Sequence, residues 1–296
     1  QVFDGKEHGG YYTQEQIKDV VAYAASKYIN VVPEIEMPGH ALAALASYPE
    51  LSFDSTQTYK VSPTWGVFEQ VFCPSETTFK FFEGVMDEVV ELFPSEYIHI
   101  GGDECPKTAW KNSAFCQQLI RQLGLKDDVT PSKVDGVKHS KEDKLQSYFV
   151  TRMEKYLNDK GRNIIGWDEI LEGGLAPNAT VMSWRGVEGG LNAAKAGHNA
   201  IMTPMPYAYL DFYQEDPAIA PTTIGGYTTL KKTYSYNPAP DDADELVKKH
   251  VIGMQGNIWR EYMKNSDRTD YQAFPRAMAI AETGWTLDAN IMAGRD

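Results

Sequence analysis

The chain has 296 residues and a formal net charge of −13, long enough for one large α/β domain or two small ones. This acidity argues against a nucleic-acid partner, because phosphate binding wants clustered Lys and Arg, and it suits a neutral small-molecule or polymer substrate. No apolar run approaches the ~20 residues of a membrane-spanning helix.

In chain order, residues 1–12 are polar and Gly-rich and read as a loop. Thr13-Gln14-Glu15-Gln16 has capping-box form. The helical pattern after it carries Ile17, Val20, Val21, Ala24 and Tyr28 on one face. Ile29 to Glu36 reads as a strand, weakened by Pro33 and ended by Met37-Pro38-Gly39-His40. The stretch 48–74 is aromatic and irregular, and a helix from about Thr77 to Leu92 follows it. The strand that begins at Tyr97 leads through Gly101-Gly102 to Asp103-Glu104. A helix over 109–123 and a charged loop come next. That loop carries Asp127, Asp128, Pro131, Lys133 and Lys138, the composition of a disordered or inserted segment.

From there the alternation is regular: helix 143–160, strand 163–167, a short helix, strand 180–184, helix 188–196 and strand 199–203. A long Tyr- and Pro-rich loop runs to Pro240, followed by helix 242–249, strand 251–257 and a final helix over 271–282. Strand–helix alternation means a parallel sheet. A doubly wound sheet and a (β/α) barrel both fit, and the strand ends favour the barrel. They carry Glu36 and His40, Asp103 and Glu104, Trp167-Asp168-Glu169, Trp184-Arg185 and Trp259-Arg260-Glu261. A barrel gathers all its strand ends round one axis, whereas an open sheet gathers only those near a switch point. The expectation is one partial (β/α)8 TIM-type catalytic domain over 1–296, with strands 3–8 present and strands 1–2 absent from this chain.

The Tyr97–Glu104 stretch is the most informative. Period-two reading puts Ile98 and Ile100 on one strand face and Tyr97, His99 and Gly101 on the other. A double glycine where a strand runs out marks a bend or a close approach. Adjacent carboxylates repel unless one gains a proton or a partner, so Asp103-Glu104 reads as a catalytic or ligand site. Cys73, Cys105 and Cys116 have no metal-type spacing and leave an odd number, so no disulfide framework follows. Cys105 reads as packing. The chain opens at Gln1 without Met, so a leader and the compartment are not readable from it.

His99-Ile100-Gly101-Gly102-Asp103-Glu104 resembles the signature of family-20 glycoside hydrolases, the β-N-acetylhexosaminidases. Glu34-Ile35-Glu36-Met37-Pro38-Gly39-His40 is similar to the family's third-strand motif, with Glu36 where Asp is commoner. Gly166-Trp167-Asp168-Glu169, Ser183-Trp184-Arg185, Tyr207-Ala208-Tyr209-Leu210-Asp211 and Gln255-Gly256-Asn257-Ile258-Trp259-Arg260-Glu261 also match in order and spacing. The Arg that family members carry at the end of the first barrel strand has no counterpart here.

The resemblance implies hydrolysis of terminal N-acetylhexosamine from β-glycosides, with retention and with the substrate's acetamido oxygen as nucleophile. Glu104 would be the acid and then the base, its pKa raised by burial and by Asp103. Asp103 would accept the acetamido N–H, and Tyr209 would donate to the acetamido carbonyl. Trp167, Trp184 and Trp259 would wall the sugar, and Asp211 and Glu261 would bind its outer hydroxyls. His40, His99 and Glu36 would support the acid pair from behind. No cofactor and no metal are implied. The partners would be N-acetylhexosamine oligosaccharides or glycoconjugates, as for a periplasmic or secreted glycan-degrading enzyme. The alternatives are a metal-dependent acid–base site built on Glu36, His40, Asp103 and Glu104, and a carbohydrate-binding protein impaired in catalysis.

Overall fold

The computed structural model describes residues 9–286, so most of the opening loop read over 1–12 lies outside the described residues. Two compact units divide the chain, with the second beginning at Thr180 and also holding residues 133–136.

The first unit opens with α1 (Gln14–Ser26), whose capping box forms as its sequence predicts. Gln16 N–H donates to Thr13 Oγ1 at 3.2 Å, and Thr13 N–H donates to Gln16 Oε1 at 2.8 Å. The apolar face is only partly covered. Ile17, Val21 and Ala24 are half-buried, whereas Val20 is exposed. Tyr28 is fully exposed because it lies beyond the helix end with φ near 60°, which turns it off the helical face.

No continuous strand spans 29–36. That segment contributes one parallel bridge, Glu34 to His99. His99 N–H donates to Pro33 O, and Ile35 N–H donates to His99 O. Two features stop the ladder. Pro33 has no donor, and Gly101 N–H turns to its neighbour's imidazole, His99 Nδ1, instead of pairing across strands. After α2 (Leu42–Ser47), α3 (Glu76–Leu92) is capped by Ser75 and buries Phe79, Phe82, Met86 and Val89 along one stripe. β1 (Tyr97–His99) follows.

The helix expected over 109–123 is two helices, α4 (Thr108–Asn112) and α5 (Ala114–Gln122), because Ser113 leaves the helical conformation to cap the second. The loop expected to be disordered is tied down. Asp128 accepts from His139 N–H at 3.0 Å and from Lys144 Nζ at 2.6 Å, and Asp127 accepts from Lys141 N–H. α6 (Lys141–Asp159) carries a second capping box and packs Phe149 against Phe79, with ring centroids 4.8 Å apart. It leads to β2 (Asn163–Trp167), which pairs parallel with β1, Ile98 opposite Ile164.

In the second unit β3 (Thr180–Ser183), α7 (Glu188–Lys195) and β4 (Ala200–Met202) follow the expected alternation, with β3 and β4 parallel. The long loop after β4 contains two short helices, α8 (Met205–Ala208) and α9 (Leu230–Tyr234). α10 (Glu245–His250) precedes β5 (Val251–Met254), which pairs parallel with β4 across a register shift. Beyond β5 the pairing resumes as one bridge between Asn257 and Tyr209. The final helix is again two, α11 (Ser266–Ala273) and α12 (Arg276–Trp285). Pro275 offers no N–H, so the helical ladder cannot run through it. Among the described residues no helix is long and apolar enough to cross a membrane.

Candidate active site

The acid pair sits where β1 runs out. Gly101 and Gly102 take φ of 69° and 95°, conformations that side chains disfavour. Glu104 adopts φ of 43° without being glycine, and His40 does the same at 47°. Such conformations in non-glycine residues persist only where surroundings hold them, and they cluster at functional sites. Here they bring His40 Nε2 to 3.4 Å from Asp103 Oδ2 and 3.3 Å from Glu104 Oε2, so that one imidazole bridges both carboxylates. The hydrogen bond to Asp103 is the largest influence raising the His40 pKa; burial opposes it, and the charges of Asp103 and Glu104 add to it. His40, Asp103 and Glu104 hold atoms within 4.8 Å of one another, the spacing a cation would need.

The turn is braced from α6. Gln146 Nε2–H donates to Gly102 O at 2.7 Å, and Lys107 Nζ donates to Gln146 Oε1 at 2.6 Å and to Cys105 O at 2.8 Å. Sequence reasoning missed Gln146, a buried polar residue on the apolar stripe of a helix. Cys105 packs in an apolar cluster with Val71, Trp110, Cys116, Ile120 and Leu145. Burial pushes its thiol up to about 12.

Behind Asp103 stand three of the expected residues and one unexpected one. Gly102 N–H donates to Glu36 Oε1 at 3.0 Å. Gly101 N–H donates to His99 Nδ1 at 3.0 Å, and Glu34 Oε1 lies 3.3 Å from the same nitrogen. Trp167 is buried against His99, ring centroids 4.8 Å apart, and its indole N–H donates to Glu34 Oε1 at 2.9 Å. Glu34, one alternation before Glu36, is the residue that sequence reading passed over. Asp168 and Glu169, given no role from sequence, are buried in a 3₁₀ turn over 168–171.

The second unit holds the other expected residues. Trp184 and Tyr209 stack at 6.3 Å with planes 30° apart, and Phe212 backs the Tyr209 ring. Asp211, Trp259 and Glu261 line one cleft together with Tyr262. Trp259 is 40% exposed and Asp211 only 5%. Burial raises the Asp211 carboxyl to about 7; Glu261 adds to this, while its own backbone N–H and Arg276 oppose it. Arg276, unforeseen from sequence, is fully buried on α12. Its guanidinium donates to the carbonyls of Leu210, Phe212, Thr228 and Gln272, which fixes the segment that carries Tyr209 and Asp211.

Parallel strands joined through helices, with acids gathered where β1 ends, define an α/β protein of the kind that places its chemistry at strand ends. The model of "Glycosyl hydrolase family 20, catalytic domain" matches residues 2–288, and the chain belongs to that family. It is 50% identical over 285 residues to a beta-hexosaminidase of Porphyromonas gingivalis, covering 96% of this chain and 35% of that protein. A crystal structure of a beta-N-acetylhexosaminidase superposes with a TM-score of 0.81 at 30% identity, covering 99% of this chain and 61% of the other. The exo beta-N-acetylglucosaminidase of Vibrio harveyi in complex with N-acetylglucosamine superposes with a TM-score of 0.79 at 32% identity, covering 97% and 44%. These neighbours give the chain a TIM-type α/β fold. The chain spans about a third of the length of the Porphyromonas relative.

Proposed function

We propose that this chain carries the catalytic groups of an enzyme that removes terminal non-reducing N-acetylhexosamine from β-glycosides. The reaction proceeds with retention and through an oxazolinium intermediate formed by the substrate itself. The observation that supports this most is the adjacency of Asp103 and Glu104 at one strand end, bridged by His40. Neighbours in sequence cannot flank opposite faces of a sugar ring, as a two-carboxylate double displacement requires. A nucleophile supplied by the substrate removes that requirement.

Glu104 gives its proton to the glycosidic oxygen while the acetamido carbonyl oxygen attacks the anomeric carbon, and the aglycone leaves as an alcohol. Asp103 accepts the acetamido N–H and offsets the positive charge that develops on the ring so formed. Tyr209 donates its hydroxyl to the acetamido oxygen and holds it in line, where orientation removes much of the entropic barrier. Glu104, now ionised, takes a proton from water as that water attacks the anomeric carbon and opens the oxazolinium. Trp167, Trp184 and Trp259 wall the sugar, and Asp211 and Glu261 accept its outer hydroxyls. The strand positions of this chain correspond to the third to eighth of a TIM-type barrel. The substrates are oligosaccharides or glycoconjugates ending in N-acetylhexosamine.

The test uses the full-length protein. A β-N-acetylglucosaminide should be cleaved with retention, and the 2-hydroxy glucoside should turn over poorly even where it binds. A thiazoline analogue of the intermediate should inhibit strongly, because it resembles the transition state. A strong chelator should leave turnover unchanged. A sugar ester trapped on Asp103 or Glu104 would overturn the mechanism.

A further inference from the structure

Glu36 stands where the family resemblance expects the shorter Asp, and the fold makes room for it in one place. A Cβ on Gly101 would fall 2.0 Å from Glu36 Oε1 and 2.2 Å from its Cδ, so the missing side chain of Gly101 is the space that the Glu36 carboxyl fills. There the carboxyl takes the Gly102 N–H on Oε1 at 3.0 Å, one residue before Asp103, whose carboxylate acts on it as a neighbouring charge. Two carboxyls can share a hydrogen bond only when one of them holds a proton. Asp103 has an imidazole 3.4 Å from its Oδ2, a partner that favours its charge. Glu36 has the opposite surroundings, since the side-chain charges acting on it are those of Asp103 and Glu34. Asp103 Oδ1 is also buried and finds no donor among the described residues.

We infer that Glu36 is a proton-bearing positioning residue, whose carboxyl O–H donates to Asp103 and holds it as an oriented anion. The inference rests on the role given above to Asp103. Burial, then the charge of Asp103, push Glu36 up to about 11, while the Gly102 N–H opposes the shift. The arrangement gives Asp103 a donor without neutralising it. Its negative charge stays available to the positive centre that forms during ring closure.

Two substitutions in the full-length protein separate this from a structural role. Glu36→Gln keeps the shape, an acceptor for Gly102 N–H and a donor for Asp103, with no charge at any pH. Glu36→Leu keeps volume alone. The expected result is a kcat for Glu36→Gln within about threefold of wild type, and a fall of at least about tenfold for Glu36→Leu with KM changed less, at equal melting temperatures. Thiazoline affinity should follow kcat. Infrared difference spectra at pH 8 should show a protonated-carboxyl band in wild type that Glu36→Gln lacks, a readout that needs no activity and no folded Leu variant. Absence of that band difference, equal impairment of the Gln and Leu variants, or near-wild-type turnover with Leu would each overturn the inference. A wild-type enzyme that cleaves no N-acetylhexosaminide would instead overturn the proposed function, and the infrared result would still decide the state of Glu36.

Discussion

His40 Nε2 lies 3.3 Å from Glu104 Oε2, and both residues reach that position from left-handed backbone conformations. The contact ties the proposed acid to a residue 64 positions earlier in the chain. It also draws Asp103 and Glu104, adjacent in sequence, onto one imidazole rather than letting them splay apart.

Glu104→Gln keeps the side-chain shape and removes the transferable proton. Turnover of natural glycosides should fall by about 10²–10⁴. Substrates with good leaving groups should suffer least in the first step, because they need little protonation. Steady-state kinetics on a matched pair of glycosides checks this, and a variant within a few-fold of wild type on natural substrates would exclude Glu104 as the acid.

His40 should titrate above the ordinary imidazole range, because Asp103 and Glu104 favour its charged form. A raised histidine pKa stabilises the fold fully at pH below the unfolded value. The contribution is lost as pH rises through the folded value. Asp103→Asn removes the largest influence, so the NMR titration midpoint of His40 should move down in that variant. An unmoved midpoint would mean that Asp103 does not set it.

Asp211 makes the opposite demand for a carboxylate, since its folded pKa lies above its unfolded one. Its stabilising contribution is full below 3.8 and is lost as pH rises to about 7. Asp211→Asn escapes that loss. The melting temperature of the variant should therefore gain on wild type as pH rises across this window and hold its lead above it. Wild-type KM should improve over the same window if the ionised carboxylate is the better acceptor for a sugar hydroxyl.

Arg276 holds four carbonyls from a fully buried position. Arg276→Met would remove all of these donations, leaving Leu210 O and Phe212 O with the Gln272 side-chain N–H, and should cost about 3–5 kcal/mol in denaturant unfolding. Arg276→Lys should recover only part of that loss, because an ammonium cannot span the fork. A neutral substitution would show that water replaces the guanidinium.

What the sequence determined by itself was local. Thr13 and Gln16 announce a helix start because both halves of a capping box lie within one turn. The apolar run at Asn163–Trp167 is a strand with the expected bounds. Gly101-Gly102-Asp103-Glu104 marks a candidate site because glycine freedom and paired acids are written side by side. Pro275, within the helix expected over 271–282, separates α11 from α12 because it has no N–H. The tertiary structure decided what depends on distant chain. Trp167 meets Glu34 across 133 positions, Gln146 meets Gly102 across 44, and Arg276 reaches Leu210 across 66. Whether 29–36 forms a strand also depended on Gly101, whose N–H turns to His99 Nδ1 instead of pairing across. A buried polar group is satisfied by whichever partner the fold delivers, and neither composition nor periodicity names that partner in advance.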